Sequence, residues 1–233
     1  MVTLKDIKEN EKFSTLIKWA AKCMEAIGYT EHGMRHCGFV SQTAKDILSR
    51  LEYPERTQEL AAIAGYIHDI GNSINRKHHG MTGANLAFPL LMEMGMELDE
   101  ICMITSAIGN HEEETGNVVN EVAAALIIAD KSDAHRTRVG RGKYNPDDIH
   151  DRVNYAIKRS KVEVDIQDRI IIYSIEMDTS SSIMEFMKIY MTRMMMCEKA
   201  ARYLGCSFQL VANGQAINNN PVLAARKLNE ESA

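Results

Sequence analysis

Apolar residues recur at helical spacing along most of the chain. His36, Val40, Thr43, Ala44, Ile47 and Leu51 fall on one helical face. Leu60, Ile63, Ala64 and Ile67 form another, with Gly71 as the expected C-terminal stop. Residues from about 82 to 94 and from about 98 to 109 read as a helical pair, and 121 to about 134 as a further apolar helix. The pattern then changes. Val162 and Val164, followed by Ile170, Ile172 and Ser174, alternate with period two around Asp165-Ile166-Gln167-Asp168, which predicts a hairpin. Residues 180 to about 204 return to helix, with Ile183, Phe186, Met187, Tyr190 and Met194 at helical spacing. Phe208, Leu210 and Ala212 predict a third strand before Asn213-Gly214.

The expected fold is therefore mostly α. A helical bundle fills residues 1–150. A small α+β subdomain over 151–217 holds an antiparallel hairpin, a long helix and a strand in one small antiparallel sheet. The tail over 218–233, with three consecutive asparagines, reads as weakly ordered. The Met-rich stretch Met184, Met187, Met191, Met194, Met195 and Met196 reads as packing surface rather than metal ligands.

Composition narrows the class. The chain has 233 residues, 45% hydrophobic and 25% charged, with only four prolines, which excludes a disordered chain, a collagen-like chain and a disulfide miniprotein. A net charge of −5 argues against a globally basic nucleic-acid binder. Cys23, Cys37, Cys102, Cys197 and Cys206 are scattered with no CxxC pair, as expected of reduced thiols in a cytoplasmic protein. No apolar run approaches the ~18–20 residues of a membrane span. No GxSxG, P-loop or Rossmann glycine pattern is present.

The candidate chemistry lies in the histidines and aspartates. His68-Asp69 closes the apolar run ending at Ile67 and puts two adjacent ligand types at one place. A carboxylate has two oxygens, so Asp69 could bridge two cations roughly 3.5–4 Å apart. Taken alone, the pair is equally a helix C-cap with a hydrogen-bonded histidine. Asp130 stands four residues after Leu126 and so projects from the core face of its helix. An unpaired carboxylate there is costly, so Asp130 needs a cation or strong donors.

These residues resemble the HD-domain superfamily of metal-dependent phosphohydrolases. Ile67-His68-Asp69-Ile70-Gly71 matches the family's HDIG form. His36, with Val40 and Ala44, matches the first-ligand helix. Asp130, followed by Lys131-Ser132-Asp133-Ala134, matches the last-ligand helix. The resemblance covers residues 36–130 and implies an HD-domain helical bundle. His79, in His79-Gly80-Met81-Thr82-Gly83-Ala84, and His111, before Glu112-Glu113, resemble the extra histidines of the binuclear members. His78 is the register rival of His79. His32, one turn before His36, is open to a ligand role, a supporting role or a helix-start role. Asn110 stands where the HD-GYP branch has a second histidine, and the GYP signature is absent, so that branch is not assigned. His135 and His150 read as surface histidines.

The resemblance implies one or two divalent cations, with Fe, Mn, Zn and Mg all compatible. His36, His68, Asp69 and Asp130 would hold one, and Asp69, His79 and His111 the other. Asp69 and Asp130 offset two of the four positive charges, so the residual charge favours an anionic phosphoester, expected to be a nucleotide, and an activated water. Lys131 is the expected charge stabiliser, with Asp69 the other catalytic residue. Arg35, Arg136 and Arg138 could bind phosphate oxygens. Arg136, Arg138, Arg141 and Lys143 are otherwise a solvated loop. Without aromatic interleaving, that patch does not read as a nucleic-acid site. Two alternatives remain: a di-iron HD-like oxygenase, and a non-catalytic metal-binding signalling module. The C-terminal unit shows no recognisable catalytic cluster. Covering the bundle, binding a partner and forming a homodimer are all open to it.

Overall fold

The computed structural model describes residues 1–139 and 144–218. A short helix, α1 (Leu4–Glu9), and a longer one, α2 (Glu11–Ala26), lead into α3 (Met34–Arg50) and α4 (Glu55–Ile67). A 3-10 turn (Ile70–Ser73) precedes α5 (His79–Glu93), α6 (Leu98–Gly109) and α7 (Glu121–Lys131). A second 3-10 turn (Arg136–Arg138) and α8 (Ile149–Ala156) connect to β1 (Ile157–Asp165), β2 (Ile170–Met177), α9 (Ile183–Tyr203), β3 (Ser207–Ala212) and β4 (Gln215–Ala216). Among the described residues, no helix is long and apolar enough to cross a membrane. The five cysteines are free thiols. Arg141, Lys143 and the tail from residue 219 lie outside the described residues.

Two helices form the centre of the core. Leu60–Ile67 of α4 and Val122–Ala129 of α7 are buried all round, as a helix enclosed on every side must be. Small side chains let their neighbours come close. A Cβ on Gly65 would lie 2.9 Å from the Ser41 backbone, so α3 and α4 cross almost at backbone contact. The Ser41 hydroxyl donates to the Ala62 carbonyl at 2.7 Å across this crossing. At the start of α7 the Asn120 side chain accepts from the Ala123 amide at 2.7 Å, satisfying one of the helix's unpaired donors.

Three boundaries depart from the pattern, and each departure shapes the site. α4 ends at Ile67, and Gly71 lies inside the 3-10 turn rather than at a left-handed stop. Its missing side chain serves a close approach: a Cβ there would fall 1.9 Å from the His79 carbonyl oxygen. α5 starts at His79, a few residues earlier than expected. α7 stops at Lys131 rather than near residue 134, which frees Asp133 to fold back toward α3.

The sheet has the order β1-β2-β3-β4 and is mixed rather than purely antiparallel. β1 and β2 form the expected antiparallel hairpin, with Val162 opposite Tyr173. β3 lies parallel to β2, Leu210 beside Tyr173, because α9 carries the chain back to the starting end. The buried face of β2 is Ile171, Tyr173 and Ile175, one residue out of phase with Ile170, Ile172 and Ser174. β4 was not anticipated. Asn213 (φ +49°) and Gly214 (φ +79°) both take positive φ, the demand of a tight two-residue hairpin turn. α8 was also missed, although Asp148 caps it and Val153 and Ala156 face inward. α9 packs against α7 and β3, and its Phe186, Tyr190, Met194 and Cys197 belong to one hydrophobic cluster that runs from α1 through β3. Met184, Met191 and Met195 of the same helix are exposed.

Candidate metal centre

The six residues singled out by sequence come from five segments. His36 lies in the first turn of α3, His68 and Asp69 just after α4, and His79 opens α5. His111 follows α6, and Asp130 is in the last turn of α7. The structure brings all six together. His36 Nε2 is 3.3 Å from Asp130 Oδ1 and 3.6 Å from Asp69 Oδ2. His68 Nε2 is 3.6 Å from Asp130 Oδ1 and 3.5 Å from Asp69 Oδ2. The other oxygen of Asp69 faces the opposite way. Its Oδ1 is 3.3 Å from His79 Nε2 and 3.9 Å from His111 Nε2. Asp69 thus divides its oxygens between two groups of histidines.

Each ring is oriented from behind. His36 Nδ1 faces Asp133 Oδ2 at 2.6 Å, and His68 Nδ1 faces the Gly65 carbonyl at 2.9 Å. His79 Nδ1 faces Glu112 Oε1 at 2.7 Å and the Arg76 carbonyl at 3.0 Å. His111 Nδ1 faces the Ile108 carbonyl at 2.6 Å. An acceptor at Nδ1 places the proton there and leaves the lone pair on Nε2. Four Nε2 lone pairs therefore converge with carboxylate oxygens. Nε2 of His36, Nε2 of His68 and Oδ2 of Asp69 are buried with no hydrogen-bond partner. Leaving one such acceptor unpaired costs about 1–3 kcal/mol, and a set aimed at one point is satisfied by a cation. His36, His68 and Asp130 form one group able to hold an ion, and His68, Asp69 and His111 another. The donors are all nitrogen and oxygen, so the buried residues fit a divalent metal ion.

Charge around the cluster is closely paired. Burial would raise the Asp130 pKa, but Lys131 and the two facing histidines hold it well below the usual carboxylate range. Lys131 is buried, its Nζ 2.7 Å from Asp130 Oδ2 and 3.2 Å from Glu113 Oε1. Burial likewise acts upward on Glu113, yet Lys131 and Arg193 bring it down to about 2. Burial and the neighbouring His79 hold the His111 pKa well below normal, so this ring is neutral. Asp133, buried beneath His36, accepts from both ends of the Arg35 guanidinium, at 3.1 and 2.7 Å.

Several supporting residues were missed by sequence reasoning. The apolar pattern over 121–134 predicts Asp133 inside the last helix, and its only signal is a carboxylate near both Asp130 and the arginine-rich turn. In sequence Glu112 and Glu113 only flank His111, but in the structure they hold His79 and Lys131. Arg76 and Arg193 carried no signal, because nothing local ties them to the cluster. The basic residues expected to bind phosphate divide. Arg35 is committed to Asp133, and Arg136 donates to Asp178 and the Tyr155 carbonyl away from the cluster. Arg138 donates to His32 Nε2 at 3.0 Å and to the Asp133 carbonyl at 3.1 Å. His32 is thereby a buried supporting group, its Nδ1 on the Thr30 carbonyl at 2.5 Å and its pKa held well below normal by burial and Arg138. His78 is exposed with φ +59°, so it is His79 that faces the cluster.

A small space of about 30 Å³ adjoins the cluster, bounded by Asp69, Asp130, Lys131, Arg76, Arg138 and Arg193 among others. A cavity of about 940 Å³ shares His32, Arg76, His79, Glu113, Arg138 and Arg193 with it. Asp148, Asn154 and Tyr190 of the C-terminal elements form part of the larger cavity's wall.

No family model and no curated protein matches the chain. Among solved structures, it matches the crystal structure of a predicted HD superfamily hydrolase from an uncultured Thermotogales bacterium. The identity is 24%, over 57% of this chain and 75% of that chain, with a TM-score of 0.43. A mostly helical frame brings His36, His68, Asp69 and Asp130 together at one place, as the HDIG resemblance implies.

Proposed function

We propose that this chain is a metal-dependent phosphohydrolase acting on a phosphomonoester or phosphodiester, with a nucleotide as the expected substrate. The supporting observation is the set of buried, unpartnered acceptors on His36, His68 and Asp69, with the two Asp69 oxygens facing different histidines. His36, His68, Asp69 and Asp130 would hold one cation, and Asp69, His79 and His111 a second. Divalent ions there would acidify water and attract phosphoryl oxygens. The chain's own residues do the positioning. Asp133, the Gly65 and Ile108 carbonyls and Glu112 keep the four Nε2 atoms aimed inward. Lys131 fixes Asp130 and adds positive charge at the edge of the adjoining space, where Arg76, Arg138 and Arg193 also stand. Such a lining suits an anionic ester.

The test is a screen of the purified full chain, loaded in turn with Mn, Fe, Zn and Mg, against nucleotides and other phosphoesters in oxygen-labelled water. Release of labelled phosphate, or of a labelled phosphoryl product from a diester, is expected, and chelation should abolish it. Full activity after chelation, or a product without solvent oxygen, would overturn the proposal. Oxygen consumption by the iron form, with no phosphoester hydrolysed, would put a di-iron oxygenase in its place.

A further inference from the structure

Arg193 belongs to the long helix of the C-terminal unit, yet its guanidinium borders the same small space as Asp69 and Asp130. Three contacts hold it there. Its Nε donates to Glu113 Oε1 at 3.0 Å. Its Cζ lies 4.7 Å from the centroid of the Tyr190 ring, a cation–π stack. Tyr190 itself is buried in the core, with its hydroxyl donating to Asn154 Oδ1 at 3.2 Å. Glu113 is in turn bound to Lys131, and Lys131 to Asp130. A continuous chain of charge-assisted contacts therefore links a candidate metal ligand to the C-terminal helix.

What this arrangement leaves over is informative. A guanidinium has five N–H donors, and Glu113 takes the one on Nε. The two Nη groups make no hydrogen bond among the described residues. They form the open end of a fork, held in plane by Glu113 and by the Tyr190 face, beside the space that the carboxylates of Asp69, Glu113 and Asp130 and the Lys131 ammonium also line. The other arginines are more committed: Arg138 serves His32 and Asp133, and Arg76 Nη1 rests 3.2 Å from His79 Nε2. A fixed fork with two free N–H edges matches two oxygens of a phosphoryl group.

We propose that Arg193 is the residue that binds the phosphoryl oxygens of the substrate, so that the C-terminal unit completes the site rather than merely covering the bundle. This rests on the phosphohydrolase reading above. The experiment uses the full, manganese-loaded chain with inorganic phosphate as the probe, measured by titration calorimetry, alongside elemental analysis of bound metal. Arg193→Gln should bind phosphate roughly 10- to 100-fold more weakly, the loss of a bidentate charged contact. Arg193→Lys keeps the charge against Glu113 but not the fork, and should fall between. Both should retain wild-type metal content. Arg202→Gln, an exposed arginine on the same helix paired with Glu198, should match wild type. Undiminished phosphate binding by Arg193→Gln overturns the assignment. So does loss of metal in both Arg193 variants in proportion to lost phosphate, which would make Arg193 a structural support. A wild-type chain that neither binds phosphate nor hydrolyses any phosphoester would instead bring down the phosphohydrolase reading, and this inference with it.

Discussion

At the His36 end of the cluster the ring is backed by a carboxylate, and that carboxylate is itself backed by charge: Asp133 lies 2.6 Å from His36 Nδ1 and takes both ends of Arg35. At the His111 end the ring is backed by a backbone carbonyl, Ile108 O at 2.6 Å, and its surroundings are tight glycine contacts. A Cβ on Gly80 would lie 2.8 Å from that same carbonyl oxygen, and one on Gly71 would collide with the His79 backbone. The two ends therefore depend on different things. Side-chain charge tunes the first, and its failure would be electrostatic. Backbone proximity, together with Glu112 behind His79 and on the Gly80 amide, sets the second, and its failure would be mainly steric. His68 belongs to both groups able to hold an ion, and Asp69 turns one oxygen to each end.

The largest effect should come from removing the carboxylate that faces both ends. Asp69→Ala is expected to lose both cations, read by elemental analysis, and retention of either at full occupancy would show that the ends are independent. Next comes the steric end. Gly71→Ala forces the start of α5 away from the 3-10 turn and should cost about 2–4 kcal/mol in denaturant unfolding. In the folded fraction it should weaken the His79–His111 cation more than the other. An unchanged melting temperature would mean the close approach is unimportant. Asp133→Asn should act on the other end alone, lowering affinity for the His36–His68–Asp130 cation by about 10- to 100-fold in a chelator competition. Equal weakening of both cations would blur the distinction.

The smallest effect belongs to a site remote from both ends. Asp178, at the end of β2, is held below the usual carboxylate range by hydrogen bonds from Ser180, with Arg136 and Lys158 adding to the shift. A depressed folded pKa stabilises the protein above the unfolded value of about 3.9, and that contribution is lost as pH falls further toward the folded value. Asp178→Asn should therefore remove under about 1 kcal/mol at neutral pH, leave metal content unchanged, and flatten the acid limb of the stability curve below about pH 4. A change in metal content would show coupling between the sheet and the cluster.

Helices α3 to α7 and α9, the His68-Asp69 pair and Asp130 were legible in sequence because their signals are short-range, and the family resemblance added His36, His79 and His111. Periodicity places Val40, Ala44 and Ile47 on one face wherever the helix goes, and His68-Asp69 at the end of an apolar run needs no tertiary knowledge to be conspicuous. The glycine at 71 was legible as a break but not as to its purpose, since a left-handed stop and a close approach look alike in one dimension. The parallel pairing of β3 was hidden for a similar reason: strand periodicity is the same in either direction, and only the path of α9 chooses.

By itself, then, the sequence determined where α3 to α7 and α9 form and which side chains are costly to bury without a partner, while the family resemblance implied which ones belong together. Tertiary structure alone decided how they are used. Asp133 meets His36 across 97 positions of chain, and Arg193 meets Glu113 across 80. Which oxygen of Asp69 faces which histidine, which of His78 and His79 turns inward, and which arginine keeps a free edge all follow from how α3, α5, α7 and α9 pack. Hydrophobic patterning carries the local choices because it acts over a helical turn. The direction of a charged side chain is settled by the partners that desolvation forces on it, and here those partners arrive from distant parts of the chain.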